Sequence, residues 1–242
     1  MVKIIDLSMD IYFGMPTFPR IVPPVIKEIE THAQYGNAIG VTKEKYGDDE
    51  ITNHCIIVMG DHIGTHIDSL WHGNSKSNIS AEKIPLDYCY GDGVLLNFSF
   101  KEPGEYITKK DLEQELNRIN YKLKPRDIVL IRTDCATKYG NSPDYLKKHP
   151  GLDGDAARWL WENGIRVFGV DAPTVEVPFE IMLKTGKLWP VHRLMREIDL
   201  YHIENLTNLD KIPRQVGFKV AVFPIKLVKA SASPIRAVAL ID

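Results

Sequence analysis

Residues 61–72 read Asp61-His62-Ile63-Gly64-Thr65-His66-Ile67-Asp68-Ser69-Leu70-Trp71-His72, and this stretch constrains the fold more than any other. From His62 to His72 it gathers three of the chain's eight histidines around the carboxylate of Asp68. Neutral imidazoles with a carboxylate suit a divalent transition metal such as zinc or manganese. Spacing limits the backbone. An ideal strand would hold the Cα atoms of His62 and His66 roughly 13 Å apart, too far for easy convergence on one ion. A regular helix would bring those two histidines together and turn Asp68 to another face. The workable form is a strand that ends near His62 and turns sharply. Gly64 can supply the unusual backbone angles, and Asp68 and His72 then follow into the same pocket.

The run resembles the His-x-Gly-Thr-His-x-Asp-x-Pro-x-His signature of the metal-dependent cyclase-like hydrolases, whose best-described members are bacterial kynurenine formamidases (arylformamidases). His62, Gly64, Thr65, His66, Asp68 and His72 match, and Leu70 stands where the signature has proline. The resemblance implies a cyclase-like α/β fold of the swivelling β/α type: a single domain over residues 1–242, with a mixed β-sheet core and flanking helices. It also implies a homo-oligomer, dimer or tetramer.

A chain of 242 residues can bury a sizeable core. The formal net charge of −2 gives no electrostatic reason to expect nucleic acid or an anionic membrane as a partner; the resemblance implies a small-molecule substrate. Cys55, Cys89 and Cys135 are too few and too scattered for a disulfide framework or a cysteine-based zinc site. The opening Met1-Val2-Lys3-Ile4-Ile5-Asp6 is too short and polar for a signal peptide, and no apolar run approaches a membrane span. A cytoplasmic enzyme is the expectation.

Along the chain, Val2–Leu7 and Val25–Glu30 read as strands, and residues 36–50 as an exposed loop or hairpin tip. Between the first two strands, Phe18 sits among Pro16 and Pro19, which hold the backbone extended around it. By itself that pattern fits a hydrophobic plug under a loop as well as an aromatic wall. The resemblance favours the wall, because the family places a tryptophan-proline pair there. Ile51–Met59 reads as a strand delivering the metal motif at its end, with His54 structural. Ile84–Leu86 and Gly91–Gly93 bracket a turn before a buried strand over Val94–Phe98. Thr108 and Asp111 open a helix carrying Leu112, Leu116 and Ile119 at helical spacing. A strand over Asp127–Arg132, a helix over Gly154–Asn163 stopped by Gly164, and a strand over Ile165–Val170 then form a βαβ unit with buried parallel strands. Phe218–Val228 and Ile235–Ile241 close the chain as strands, while His32 and His149 read as surface residues in polar loops.

Taken alone, His192 and Glu204 read as solvated or capping groups. The resemblance changes their reading, because the family places a histidine, and about a dozen residues later a Glu-x-Leu element, in the metal site. His192 and Glu204-Asn205-Leu206 fit that order. His202 shares a strand face with Glu204, so pattern alone leaves it in competition; family position favours His192. On the resemblance, His62, His66 and Asp68 hold a first ion and Asp68 bridges to a second held by His192 and Glu204. That makes two divalent ions per chain, zinc first and manganese second. Such a metal acidifies water and polarises a carbonyl. His72 is the general base and then the acid to the leaving amine, and Phe18 lines the substrate pocket. The implied reaction is hydrolysis of a small amide, an N-formyl arylamine such as N-formylkynurenine. Cyclic-amide (isatin-type) opening and polyketide-type cyclisation are alternatives on the same site, and a non-catalytic metal-dependent binding protein is the alternative outside enzymes.

Overall fold

The computed structural model describes residues 1–48 and 50–242. Its strands in chain order are β1 (Lys3–Asp6), β2 (Val25–Glu30), β3 (His54–Val58), β4 (His66–Asp68), β5 (Tyr90–Asn97), β6 (Tyr106–Ile107) and β7 (Ile128–Arg132). They continue as β8 (Gly151–Leu152), β9 (Val167–Val170), β10 (Tyr201–Glu204), β11 (Phe218–Ala221), β12 (Ala232–Pro234) and β13 (Val238–Ile241). Nine of them form one mixed sheet in the order β1-β13-β11-β5-β7-β9-β10-β4-β12. Pairing is parallel from β5 through β7 and β9 to β10. It is antiparallel on both flanks of that block.

The parallel block follows from its crossovers, since parallel neighbours need a long connection and a helix is the usual one. The helix Lys109–Arg118 links β5 to β7, and Gly154–Glu162 links β7 to β9. Thr108 starts the first with a reciprocal cap: its hydroxyl accepts from the Asp111 amide, and the Asp111 carboxylate accepts from the Thr108 amide. Asp153 caps the second by accepting from the Ala156 amide at 2.7 Å. Both faces of the block are buried, which explains its unbroken apolar runs. Val94, Leu96, Val129, Ile131 and Phe168 pack with Leu112, Leu116, Ala157 and Leu160 of the helices. Leu95, Ile128, Leu130 and Ile203 pack instead with Ile5, Val220 and Ala239, as the antiparallel flank curls over that face. Among the described residues, no helix is long and apolar enough to cross a membrane.

The α/β expectation, the βαβ unit and the capped helices hold, and the differences lie in segments without apolar periodicity. Residues 36–50, expected as a loop, hold the end of the helix His32–Ala38 and the short helix Lys43–Tyr46, each begun by a threonine cap; Asp49 lies outside the described residues. Gly91–Gly93, expected in a turn, lie inside β5, where pairing with β11 overrides local turn propensity. The expected strand over 51–59 narrows to β3, which pairs only with β2 in an exposed two-stranded ribbon. The closing strand expected over 218–228 stops at Ala221, ahead of Pro224, and β12 forms from a polar segment with no alternating pattern.

Candidate metal centre

Two adjacent strands build the floor of the site. β10 and β4 run antiparallel, with Glu204 opposite His66 and Ile203 opposite Ile67. Opposed residues share a face, as do residues two apart on one strand. His66, Asp68, His202 and Glu204 are therefore neighbours on one face, and all four are buried. His62 reaches the same place through a turn at Gly64, whose φ is +63°; a Cβ there would meet the Ile11 side chain at 2.9 Å. His72 comes from the short helix Leu70–Gly73 that follows β4, and His192 from the start of the 3₁₀ turn His192–Arg196. Leu70 occupies the first helical position, where proline is at home, so the departure from the signature changes stiffness and not path.

His62, His66 and His192 are each oriented by a partner on the outer side, the arrangement by which metal-binding histidines are fixed in one tautomer. His66 Nδ1 donates to the Gly64 carbonyl at 2.9 Å. His192 Nδ1 lies 2.8 Å from the Glu176 carboxylate, which also accepts from the amides of Val191 and His192. The Ser231 hydroxyl donates to Asp61 at 2.8 Å, so it accepts from His62 Nε2–H at 2.9 Å. The inner nitrogens then face carboxylate oxygens. His62 Nδ1 is 3.0 Å and His66 Nε2 3.4 Å from Asp68 Oδ1, and His66 Nε2 is 3.5 Å from Glu204 Oε2. His202 Nε2, His192 Nε2 and His72 Nε2 lie 3.0, 3.6 and 3.7 Å from Asp68 Oδ2. Fully buried His66 Nε2 and Asp68 Oδ1 have no hydrogen-bond partner.

These observations fit a divalent ion. Donors held about 2.0–2.2 Å from a tetrahedral ion are separated from each other by about 3.3–3.6 Å, and the contacts of His66 with Asp68 and Glu204 and of His192 with Asp68, at 3.4, 3.5 and 3.6 Å, fall there, beyond good hydrogen-bonding length. Asp68, His192, His202 and Glu204 can each offer an atom such that all lie within 4.8 Å of one another, as can His62, Asp68 and His72.

Charge follows the same pattern. Burial would raise the Asp68 carboxyl, but the surrounding imidazoles hold it well below its usual range. Burial would likewise lower His66, yet Asp68 and Glu204 hold it at about 10, so an incoming ion displaces a proton there. Glu176 resists burial through His192 and sits at about 2. His72, a third exposed at 34 %, is the opposite case: loss of water lowers it to about 4 against the pull of Asp68. It is neutral at neutral pH, the state a general base needs.

The five anticipated ligands, His62, His66, Asp68, His192 and Glu204, thus converge, with His72 at the pocket side of the cluster. His202, left in competition with His192, stands beside it instead. Glu176 and Trp189 escaped the sequence reading: a glutamate in an irregular segment and an aromatic in a proline-containing turn carry no periodic signal. His149, expected on the surface, is completely buried, with Nδ1 3.2 Å from the Pro150 carbonyl. The chain turns inward there to enter β8, whose Leu152 amide donates to Val175. His32 and His54 are exposed, the latter paired with Glu30.

A family model described as putative cyclase matches residues 5–177. The chain belongs to the putative cyclase family. A kynurenine formamidase of Bacillus cereus is 27% identical over 234 residues, covering 97% of this chain and 95% of the relative. An isatin hydrolase A from Labrenzia aggregata has the same fold, with a TM-score of 0.83 at 23% identity over 99% of this chain and 94% of that one. Another from Ralstonia solanacearum matches with a TM-score of 0.83 at 23% identity, over 100% and 92%. His62, His66, His72, His192 and Glu204 line a cavity of about 430 Å³. Phe18 and Trp189 form one wall, their rings 5.8 Å apart edge to face, and Trp189 stands 5.1 Å from the His192 ring. Arg193 and Arg196 also line it.

Proposed function

We propose that this protein is a metal-dependent hydrolase of small amides, with N-formyl arylamines as the leading substrates. The observation that carries the reading is the buried donor cluster, with Asp68 Oδ1 and His66 Nε2 unpartnered, at the base of an aromatic-walled cavity. His62, His66 and Asp68 would hold one divalent ion, and Asp68 would share a second with His192 and Glu204. The mixed nitrogen and oxygen set suits zinc first and manganese second. When bound, such ions supply Lewis acidity toward a carbonyl and toward water.

The remaining steps belong to the chain. Phe18 and Trp189 take up the aryl ring in offset or edge-on contact. Arg193 and Arg196 favour a substrate bearing a carboxylate. His72, neutral and partly exposed, takes a proton from the attacking water and returns it to the leaving nitrogen. The products are an arylamine and formate. Glu176 keeps His192 in one tautomer, and Asp61 does the same for His62 through Ser231. The amide reading draws on the kynurenine formamidases that match the chain end to end. Zinc- or manganese-loaded protein should hydrolyse N-formylkynurenine faster than an isatin-type cyclic amide or a simple aryl ester. Absence of hydrolysis across all three, in protein with measured bound metal, would leave a binding protein and overturn the reading.

A further inference from the structure

We propose that His202 is itself a metal ligand, the fourth protein donor of the deeper of two cation positions. The inference rests on the metal-dependent reading above and adds an asymmetry to it. β10 presents His202 and Glu204 on the face that β4 uses for His66 and Asp68. His202 Nε2 lies 3.0 Å from Asp68 Oδ2 and 3.8 Å from Glu204 Oε1. His192 Nε2 takes up the matching place, 3.6 Å from the same Asp68 oxygen and 3.8 Å from the same Glu204 oxygen. Two imidazoles and two carboxylate oxygens thus surround one point, each imidazole facing both oxygens. A hydrogen bond from His202 to Asp68 would account for the shortest of these contacts. It would leave the other three, all too long for hydrogen bonds, unexplained.

Four protein donors make a closed site, whereas three leave an open position for water or substrate. The deep position, built from Asp68, His192, His202 and Glu204, is closed, and its His202 and Asp68 are 1% and 0% exposed. The shallow position has His62, His66 and Asp68, with both histidines lining the cavity. His202 does not line it. The deep ion therefore binds first and exchanges slowly, while the shallow ion binds second and is the one in reach of substrate. Asp68, through its two oxygens, couples them.

Nitrogen identity gives a test independent of activity. His192, His202 and His66 present Nε2 to the cluster, whereas His62 presents Nδ1. Protein labelled with ¹⁵N-histidine should carry the substitution His72→Gln, which removes the other imidazole near Asp68. One equivalent of zinc should then give two imidazoles bound through Nε2. A second equivalent should add one bound through Nε2 and one through Nδ1. A first equivalent that engages a single imidazole, or that engages the Nδ1-bound one, overturns the assignment. His202→Gln keeps a hydrogen-bond donor toward Asp68 and loses the ligand; it should weaken the first zinc equivalent by at least on the order of 100-fold, the upper end of what an outer-shell loss causes. Unchanged tight binding of both equivalents in that variant rejects His202 as a ligand while leaving the hydrolase reading in place. Protein that binds no zinc at all rejects both.

Discussion

His66 and His72 approach the same carboxylate from different sides, and substituting them should separate holding an ion from moving a proton. His66 is buried, with Nε2 unpartnered and 3.4 Å from Asp68 Oδ1. His66→Ala should abolish turnover and lower the bound metal measured by elemental analysis. His72 stands at the cavity side, neutral, and His72→Ala should lower turnover by about 10²–10⁴ with metal content close to that of the parent. Equal metal loss in the two variants would make His72 a ligand. Glu176 gives a residue-scale prediction of another kind. Despite burial, its carboxyl is depressed to about 2 by His192 and the amides it accepts from. A depressed acid binds fewer protons folded than unfolded, so its contribution is present above about 4.5 and is lost as pH falls toward about 2. Glu176→Gln should flatten that part of the stability profile of metal-free protein, measured by denaturant unfolding at a series of pH values. A profile that keeps the parent's steepness would show that the ion pair adds nothing. The five candidate donors were legible because a spaced motif and a family pattern named them. Glu176, Asp61 and Ser231 were not, since an outer partner is defined by what it touches, and His149 was misread because polar neighbours in sequence hid an inward turn of the chain.

At the scale of elements, the cluster depends on a helix and a 3₁₀ turn meeting closely. A Cβ at Gly73 would stand 2.5 Å from the His192 carbonyl and 2.8 Å from Met195 Sδ. The first contact is to backbone and cannot be relieved by a rotamer change, so Gly73→Ala must push the segment carrying His192 away from the one carrying His72. The expected result is weaker metal binding and a turnover loss larger than that of His72→Ala, with the secondary structure intact by circular dichroism. Parent-like metal affinity in that variant would mean that the two segments adjust without moving their histidines. Gly73 carries no such warning in the sequence, because the close approach is made by a segment more than a hundred residues away. The parallel strands were legible for the converse reason: both their faces are buried, and a continuous apolar run follows from that alone. The β2–β3 ribbon was found as two strands, yet nothing in its apolar residues said it would stand apart from the main sheet. β12 was invisible, being held by pairing with β4 and not by pattern.

For the whole molecule, the donor set joins distant parts of the chain. His62, His66, Asp68 and His72 come from the segment around β4, and His192, His202 and Glu204 from the segment around β10. These strands pair at one end of the sheet through a short register of two residue pairs. Without an ion, the cluster brings imidazoles together with ring centroids as close as 4.2 Å for His62 and His72 and 4.5 Å for His192 and His202. Asp68 and Glu204 face them from the inner side, and Glu176 faces His192 from the outer side. A ligand that binds only the folded chain stabilises it by about 2.7 kcal/mol at a hundredfold excess over Kd. For a chain of this size each kcal/mol moves Tm by about 2–4 °C. Removing metal with a chelator should therefore lower Tm by about 5–10 °C, and restoring zinc or manganese should recover it. The shift should grow with free metal concentration, as mass action requires, and should be much smaller in Glu204→Ala. An identical Tm before and after chelation, with metal loss verified by elemental analysis, would mean that the ion adds nothing to the β4–β10 pairing and that protons satisfy the cluster equally well. The size of the shift reports how much of the fold's edge is completed only when the ion is bound.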